Sequence, residues 1–416
     1  MDNIPSHWKK SVRYASLSDV GMRRTNNQDS FGIWIAETSC QWLDRGHFFV
    51  VADGMGAHAA GEVASKMAVD TVVQSYLKRV NEPPIQSISK AVFDAHNRIR
   101  ERSRREDAFR DMGTTCDAFA LTPQGLIIAH VGDSRVYRIR ANCIEQMTFD
   151  HSLVWEVCLS NRLPFDQPPL HIPKNQITRS LGPTTNLRVD VEGPHQVLVG
   201  DKFLACSDGL SGQVKDSEIG SIVMLFSPEV AVETLVNLAN LRGGPDNTTI
   251  VVVEATQDKN TEQDVDNYFN LPFVSQLLLF GMLIPLGGVL FASVYGNVML
   301  GIFSGVIAAV LAICFFATAK TYLFAGSPFD ITQTLGNAPY TKTYCQPNED
   351  FANTLSKMLQ DIHKAVADKS IKINTNNTNQ EELKAKNALK TGDFLTAVRH
   401  YAIAINLIMR EIKSTK

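Results

Sequence analysis

This sequence has no surplus of basic residues. Its 40 Lys and Arg are outweighed by 43 Asp and Glu, and the formal net charge at pH 7 is −3. Nucleic acid binding relies on clustered positive charge. The locally basic stretch 98–110 (RIRERSRREDAFR) contains interleaved acids and continues a helical pattern, so we interpret it as a solvated helix face. We therefore expect no nucleic acid partner.

Paired cysteine spacings are also missing. The 7 cysteines are Cys40, Cys116, Cys143, Cys158, Cys206, Cys314 and Cys345. Their scatter favours reduced thiols in a reducing compartment over a disulfide framework. The first residues, MDNIPSHWKKS, contain no apolar run, so we expect no cleavable signal peptide.

Charge is absent from one long stretch. No Asp, Glu, Lys or Arg occurs between Asn267 and Ala319. Two apolar segments, 273–295 and 298–319, flank the turn Gly296-Asn297, and each reaches the about 20 residues that a membrane-spanning helix needs. We predict a transmembrane helical hairpin over residues 273–319. A buried hairpin of a soluble domain is the alternative, which is disfavoured because core helices of this length normally carry a polar face.

The segments around this hairpin differ in composition. Residues 257–272 are acidic and Asn-rich, as in a flexible linker. Residues 320–348 contain scattered Gly, Pro and Thr and are predicted to form a second, loop-like or extended linker. Residues 349–416 have helical periodicity and form a candidate binding site for a protein partner. Within them, 382–410 resembles one tetratricopeptide-type hairpin, but such repeats usually stack, so a plain amphipathic hairpin is an equal alternative.

Four aspartates stand where apolar, β-branched runs meet turns. They are Asp53, Asp133, Asp208 and Asp246. A carboxylate at a strand end has a free backbone around it. Mg²⁺ and Mn²⁺ require several carboxylate and carbonyl oxygens, and no Cys or His cluster of the sequence favours a softer metal. The pattern indicates a site for hard divalent cations.

Residues 1–256 alternate strand and helix patterns. The predicted strands are 48–52, 126–139, 197–206 and 249–253, and the predicted helices are 60–77, 87–105 and 228–241. The dipeptides Gly132-Asp133 and Gly200-Asp201 are interpreted as hairpin turns.

The order of the motifs resembles the metal-dependent protein phosphatases of type 2C, in their bacterial form. The motifs are Ser18-Asp19-Val20-Gly21, Arg24-Thr25-Asn26-Asn27-Gln28-Asp29, Asp53-Gly54-Met55-Gly56, Met112-Gly113-Thr114-Thr115, Gly132-Asp133-Ser134-Arg135, Ile177-Thr178-Arg179-Ser180-Leu181-Gly182, Ser207-Asp208-Gly209-Leu210 and Asp246-Asn247-Thr248-Thr249. The resemblance implies an α+β fold in which two antiparallel sheets are sandwiched between helices, followed here by two transmembrane helices and a small helical tail. It also implies a mobile flap between residues 150 and 176.

The resemblance implies the roles of the metal ligands residue by residue. Asp53 would bridge two tightly bound Mn²⁺ or Mg²⁺ ions, the carbonyl of Gly54 would bind one of them, and Asp208 with Asp246 would hold the other. Asp133, with Asp208, would bind a third, looser ion. Water activated between the two ions would attack phosphorus without a phosphoenzyme intermediate.

It also implies two roles outside metal ligation. Arg24 would bind the phosphate through its planar guanidinium, and Asp29 would orient the attacking water. Met55 stands where animal members carry a His that is a candidate general acid, and a methionine cannot give a proton. The proton for the leaving oxygen would come instead from water on the metal or, less expectedly, from His58.

We therefore predict a serine/threonine protein phosphatase that acts on phosphoproteins and is a two-span membrane protein. Its catalytic domain (1–256) and its tail (349–416) would both face the cytoplasm. One alternative is a catalytically idle phosphatase fold that serves as a membrane-tethered binding or sensing module, which the intact Asp53, Asp208 and Asp246 disfavour. Another is an adaptor in which the tail is the working part.

Overall fold

The computed structural model describes residues 10–56, 59–165, 176–257, 335–371 and 373–415, with the isolated positions 169, 172, 173, 299, 302, 306, 307, 309 and 310. The chain divides into two compact units, residues 1–257 with 331–416, and residues 258–330. Among the described residues no helix is both long and apolar enough to cross a membrane. The predicted hairpin 273–319 lies outside the described residues except for a few positions of its second segment, which are helical and exposed.

The strands form two antiparallel sheets. In chain order they are β1 (Val12–Asp19), β2 (Asp29–Trp34), β3 (His47–Met55), β4 (Gly113–Thr114), β5 (Cys116–Thr122), β6 (Gly125–Val131), β7 (Arg135–Arg140), β8 (Cys143–Gln146), β9 (Asp190–His195), β10 (Lys202–Cys206), β11 (Thr248–Ala255) and β12 (Thr341–Tyr344). The first sheet has the order β1-β11-β10-β7-β8-β12, and the second has the order β2-β3-β5-β6-β9 with β4 beside β3.

The helices cover the outer faces of both sheets. In chain order they are α1 (Ser39–Arg45), α2 (Ala60–Lys78), α3 (Pro84–Arg105), α4 (Leu153–Asn161), α5 (Asp208–Ser211), α6 (Asp216–Leu225), α7 (Pro228–Leu241), α8 (Glu349–Asp368), α9 (Asn376–Lys390) and α10 (Phe394–Ser414). Helices α2 and α3 pack on the second sheet, α6 and α7 pack on the first, and the tail helix α10 packs on α7 and α6.

Strand β3 shows why both faces of each sheet are apolar. Phe49 and Val51 point into the core between the sheets, and the alternate residues Phe48, Val50 and Ala52 pack against α2 and α3. Successive side chains of a strand point to opposite faces, so a strand buried on both sides reads as an unbroken apolar run. The predicted fold of two antiparallel sheets between helices is confirmed for the catalytic domain.

The two predicted hairpin turns are wrong. β6 and β7, on either side of Gly132-Asp133, belong to different sheets, and so do β9 and β10 on either side of Gly200-Asp201. Each dipeptide therefore lies where the chain crosses from one sheet to the other. The sequence pattern cannot distinguish a hairpin from such a crossing. The inner faces of both sheets pack on the same apolar core, so the strands before and after the turn are apolar in either case. The predicted strand 197–206 also begins only at Lys202.

The chain after residue 334 is part of the catalytic unit. β12, within the predicted linker 320–348, pairs antiparallel with β8 and ends the first sheet. Helix α10 packs on α7, where Asn406 accepts a hydrogen bond from Asn237 (2.9 Å) and donates one to Thr234 (2.8 Å) in a buried cluster. The helical tail therefore packs on the helices that cover the outer face of the first sheet. We call residues 335–415 the extension.

Candidate active site

The carboxylates of Asp29 and Asp53 lie on neighbouring strands. Asp29 begins β2 and is paired in register with Asp53 of β3. The backbone of Asp53 is fixed by Thr114, the last residue of β4, and by Thr115, which follows it. The Asp53 N–H donates to Thr115 Oγ1 (2.8 Å), and the Asp53 carbonyl accepts from Thr114 Oγ1 (2.9 Å). Thr114 and Thr115 thus explain the Met112-Gly113-Thr114-Thr115 motif, to which sequence reasoning assigned no role.

Gly54 lies in a backbone cradle that admits no side chain. A Cβ atom there would lie 2.1 Å from the carbonyl oxygen of Gly61 and 2.5 Å from that of Gln28. The Gly54 N–H donates to the Gln28 carbonyl (3.1 Å). The start of α2 and the loop before β2 therefore approach Gly54 closely, next to Asp53.

Asp208 and Asp246 are brought together by two loops in backbone contact. Asp208 begins the short helix α5 directly after β10, and Asp246 precedes β11. A Cβ atom on Gly209 would lie only 1.9 Å from the carbonyl oxygen of Asn247. Glycine after Asp208 is therefore required for this close approach, which places both carboxylates at the same end of the first sheet.

A buried serine links these loops to the second sheet. Ser207 Oγ donates to Asp29 Oδ2 (2.7 Å) and accepts from the Thr249 N–H (3.0 Å). Burial, with smaller effects from the Asp208 and Asp246 charges, raises the pKa of Asp29 to about 7. The site therefore spans both sheets.

The remaining carboxylates repel one another in a buried environment. Burial first, and then the charges of Asp29, Asp208, Asp133 and Asp246, raise the pKa of Asp53 well above its ordinary value. Burial and the Asp208 and Asp150 charges raise the pKa of Asp133 to about 7, and burial with the Asp246 charge raises that of Asp208. The predicted carboxylates thus form one cluster of negative charge.

Two carboxylate oxygens of this cluster have no hydrogen-bond donor. Asp29 Oδ1 and Asp208 Oδ1 are buried without a partner among the described residues. An anionic oxygen in such a position requires a cation or a donor, so these residues fit a divalent ion. Nevertheless, no three His, Cys, Asp or Glu side chains of the described ranges form a group that could hold an ion as they stand.

The ion pair of Arg24 explains in part why the predicted metal ligands do not form an ion-binding group as they stand. Its Nη2 lies 2.7 Å from Asp246 Oδ2, so one predicted ligand is directed toward the guanidinium. The Arg24 side chain is 50% exposed, and its pKa is raised by the hydrogen bond and charge of Asp246, with smaller effects from Asp53 and Asp208. Arg24 therefore stands at the open side of the cluster, where it can contact a phosphate.

Asn247 holds the loop that carries Arg24, a role that sequence reasoning missed. Its Nδ2 donates to the carbonyls of Val20 (2.9 Å) and Asn26 (3.0 Å), and its Oδ1 accepts from the Gln28 N–H (2.7 Å). Every hydrogen-bonding group of this buried amide is thereby used. The signal for it was its place directly after Asp246 in the last motif.

Asp133 stands on the crossing between β6 and β7, close to the buried ion pair of Arg135 with Asp150. Arg135 holds Asp150 through two nitrogens (Nη2–Oδ2 2.7 Å), which is the bidentate geometry that makes such pairs strong. His58, the alternative proton donor, lies outside the described residues.

Comparison with known proteins agrees with this geometry. The sequence profile described as "Protein phosphatase 2C" matches residues 22–152. Protein phosphatase PhpP of Streptococcus pneumoniae is 35% identical over 247 residues, which is 58% of this chain and 97% of PhpP. This chain belongs to the protein phosphatase 2C family. It is a serine/threonine protein phosphatase, as its relatives are.

Solved structures of this family superpose on the chain. The serine/threonine phosphatase of S. agalactiae is 30% identical, with a TM-score of 0.52 over 59% of this chain and 100% of that one. The phosphatase MsPP of Mycobacterium smegmatis, solved in complex with cacodylate, is 31% identical, with a TM-score of 0.51 over 59% of this chain and 99% of that one.

Proposed function

We propose that the chain hydrolyses phosphoserine and phosphothreonine in proteins at a centre of two Mn²⁺ or Mg²⁺ ions. Asp53, the Gly54 carbonyl, Asp208 and Asp246 would hold these ions, and Asp133 would bind a third, looser one. The observation that carries the proposal is the buried cluster of carboxylates, in which two anionic oxygens have no donor. All of these ligands are oxygens, which hard divalent cations prefer.

Different residues of the chain would have different roles around such a centre. When bound, the ions lower the pKa of water and offset the charge of the phosphoryl oxygens. Arg24, paired with Asp246 yet half exposed, is placed to grip the phosphate with two nitrogens. Asp29 is held by Ser207 and can accept a proton from water. Cacodylate, with which MsPP was solved, is a tetrahedral oxyanion like phosphate, so a protein similar to this chain binds an anion of that shape.

The test is metal binding together with hydrolysis. Asp208→Asn should stay folded, lose Mn²⁺ affinity in calorimetry, and hardly hydrolyse p-nitrophenyl phosphate or a phosphothreonine peptide. Removing an indirect partner of a metal ligand costs about 10- to 100-fold, so removing the ligand's charge should cost at least as much. The control is Asp44→Asn, an exposed carboxylate of α1. Full activity of Asp208→Asn in excess chelator would refute the metal assignment, and an inactive wild type would favour the idle sensing module.

We propose further that residues 273–319 anchor the enzyme in a membrane as a hairpin of two helices. The stretch Asn267–Ala319 contains no charged residue, and Met299, Ile302, Val306 and Val310, which the structure describes, are exposed apolar residues. Exposed apolar side chains of this density suit a lipid environment better than water. Tags on both ends of the chain and protease access in sealed vesicles test this proposal.

The extension is also the candidate site for a protein partner. Helix α10 packs on the catalytic domain, whereas Leu383 of the neighbouring α9 is an exposed apolar residue. Pull-down by the full chain and by Leu383→Glu, compared from the same membrane extract, tests this surface. Equal recovery of every protein would argue against a partner there.

A further inference from the structure

Helix α4, which is buried on one side, begins next to the carboxylate site. His151 holds Gly132, the residue before Asp133, at both backbone groups: its N–H donates to the Gly132 carbonyl (2.7 Å), and its Nδ1 accepts from the Gly132 N–H (3.0 Å). α4 begins immediately after Ser152, and Leu159 and Leu163 at its far end are exposed. α4 therefore forms a wall beside the site that a protein substrate would meet.

Three aromatic rings fix α4 to the fold. Trp155 of α4 stacks on Phe165 with ring centroids 4.2 Å apart, and Phe149 meets Trp155 edge-on at 5.1 Å. The carbonyl of Phe149 accepts a hydrogen bond from His130 Nε2 (2.7 Å). The aromatic cluster (Phe149, Trp155 and Phe165) thus connects α4 to the buried His130 of β6, the strand that ends just before Gly132 and Asp133.

The extension contributes a fourth ring to this cluster. Tyr340 packs on Phe149 with ring centroids 5.5 Å apart. Its hydroxyl donates to Glu192 Oε1 (2.5 Å), and its N–H donates to the Gln146 carbonyl (2.9 Å). Tyr340 is therefore attached to both sheets, since β8 belongs to the first and β9 to the second.

Glu192 and Gly193 of β9 hold the chain just before Tyr340. Glu192, which is 2% exposed, also accepts from the Ala338 N–H through Oε2 (3.0 Å). Leu335 exchanges two backbone hydrogen bonds with Gly193 (2.7 and 3.0 Å). A buried carboxylate with several donors orders the groups that bind it, so the path from Leu335 to Tyr340 is tightly fixed.

We propose that Tyr340 is a positioning residue that sets the affinity for phosphoprotein substrates by holding α4 in place beside the catalytic carboxylates. The proposal rests on the proposed function, because α4 matters for substrate only if this cluster is the reaction centre. Tyr340 lies outside residues 22–152, which the family profile matches. The specificity of this enzyme would then depend on its own extension.

The experiment compares three variants of the full chain. Tyr340→Ala removes ring and hydroxyl, Tyr340→Phe keeps the ring, and Tyr344→Ala removes an exposed tyrosine at the end of β12, the strand that begins directly after Tyr340. Each is assayed with Mn²⁺ on p-nitrophenyl phosphate, which is too small to reach α4, and on a phosphothreonine peptide. Hydrogen exchange of residues 153–165 reports whether α4 has loosened.

We expect Tyr340→Ala to raise the KM of the peptide about 3- to 10-fold, the factor that one lost aromatic pair corresponds to. Its kcat on p-nitrophenyl phosphate should stay near that of wild type, while exchange in residues 153–165 accelerates. The peptide KM and the exchange rate of Tyr340→Phe should lie between those of wild type and Tyr340→Ala. Both quantities should be the same in Tyr344→Ala as in wild type. An unchanged peptide KM in Tyr340→Ala, or an equal loss on both substrates, would overturn the proposal.

Tyr340→Phe keeps the test decisive if Tyr340→Ala does not fold. Loss of the hydroxyl alone should then raise both the peptide KM and the exchange rate, and no change in either would refute the role. Failure of the proposed function has a different signature, since the unmodified enzyme would then hydrolyse neither substrate with Mn²⁺.

Discussion

At the residue scale, Asp246 has two partners to satisfy. It forms an ion pair with the guanidinium of Arg24, and it is also one of the proposed metal ligands. The Arg24–Asp246 pair is half exposed, and such pairs contribute about 0–1 kcal/mol to stability. We expect Arg24→Ala to leave the melting temperature nearly unchanged. The KM and the inhibition constant of inorganic phosphate should rise, because the bidentate grip on the phosphate is lost.

Calorimetry separates this role from metal binding. Mn²⁺ affinity of Arg24→Ala should equal or exceed that of wild type, because Asp246 is released from its ion pair. Arg23→Ala, an exposed neighbour, is the control. If Arg24→Ala kept normal phosphate inhibition but lost Mn²⁺, the phosphate-binding assignment would be wrong.

The raised pKa values of Asp29 and Asp133 predict a pH dependence of the metal-free protein. Both are raised from 3.8 to about 7 by burial and by neighbouring carboxylates. Between these values the folded state binds more protons than the unfolded state, so the free energy of unfolding falls as the pH rises. With chelator present, the protein should melt at a higher temperature at pH 5.5 than at pH 7.5.

Two controls connect this effect to the carboxylate cluster. Added Mn²⁺ should raise the melting temperature at pH 7.5 more than at pH 5.5, because the ion offsets charge that protons otherwise remove. Asp29→Asn should reduce the difference between the two pH values. A metal-free protein that is more stable at pH 7.5 would contradict the prediction.

The predicted site residues came from contiguous motifs, and their partners did not. Asp53, Asp208 and Asp246 could be identified because each stands where an apolar run meets a turn, within a motif that resembles the family's. Thr115 and Asn247 act through hydrogen bonds to Asp53 and Gln28, which are remote in sequence. No local period indicates such a contact. The ion pair of Arg24 with Asp246 was likewise invisible, because the resemblance assigned the two residues to different ligands.

At the element scale, strands buried on both faces were predictable and their sheet membership was not. The apolar run of β3 predicts a strand, yet the runs around Gly132-Asp133 look the same whether the chain turns back or crosses between sheets. β12 shows the same limit. Its residues, Thr341–Tyr344 (TKTY), show no alternation of apolar and polar side chains. It is a strand because it pairs with β8, which the sequence does not indicate.

The packing of α10 on α7 predicts that the extension and the catalytic domain unfold together. Asn406 bonds Asn237 and Thr234 in a buried cluster. Asn406→Ala leaves these groups without a partner, which costs about 1–3 kcal/mol. We expect a lower melting temperature in one cooperative transition. Asn387→Ala, an exposed position of α9, is the control, and two separate transitions would show that the extension is independent.

At the scale of the whole molecule, the chain segments before and after the uncharged stretch belong to the same compact unit. Residues up to 257 and from 331 onward form a single compact unit, joined by β12 on β8 and by α10 on α7. If residues 273–319 enter a membrane, the chain must therefore cross it an even number of times. This requirement follows from the fold and is independent of the charges at the helix ends.

The charges around the stretch predict which side of a membrane the proposed hairpin would present to each compartment. Lys259 and Lys320 flank the stretch, whereas the turn Gly296-Asn297 carries no charge, and basic residues favour the cytoplasmic side. In a single-cysteine background, a cysteine at position 297 should react with an impermeant reagent from outside intact cells. Tags at both termini should be cleaved by protease only in inverted vesicles. Cleavage of the two tags from opposite faces would exclude the hairpin, and with it the joint packing of the extension and the catalytic domain in the membrane-bound protein.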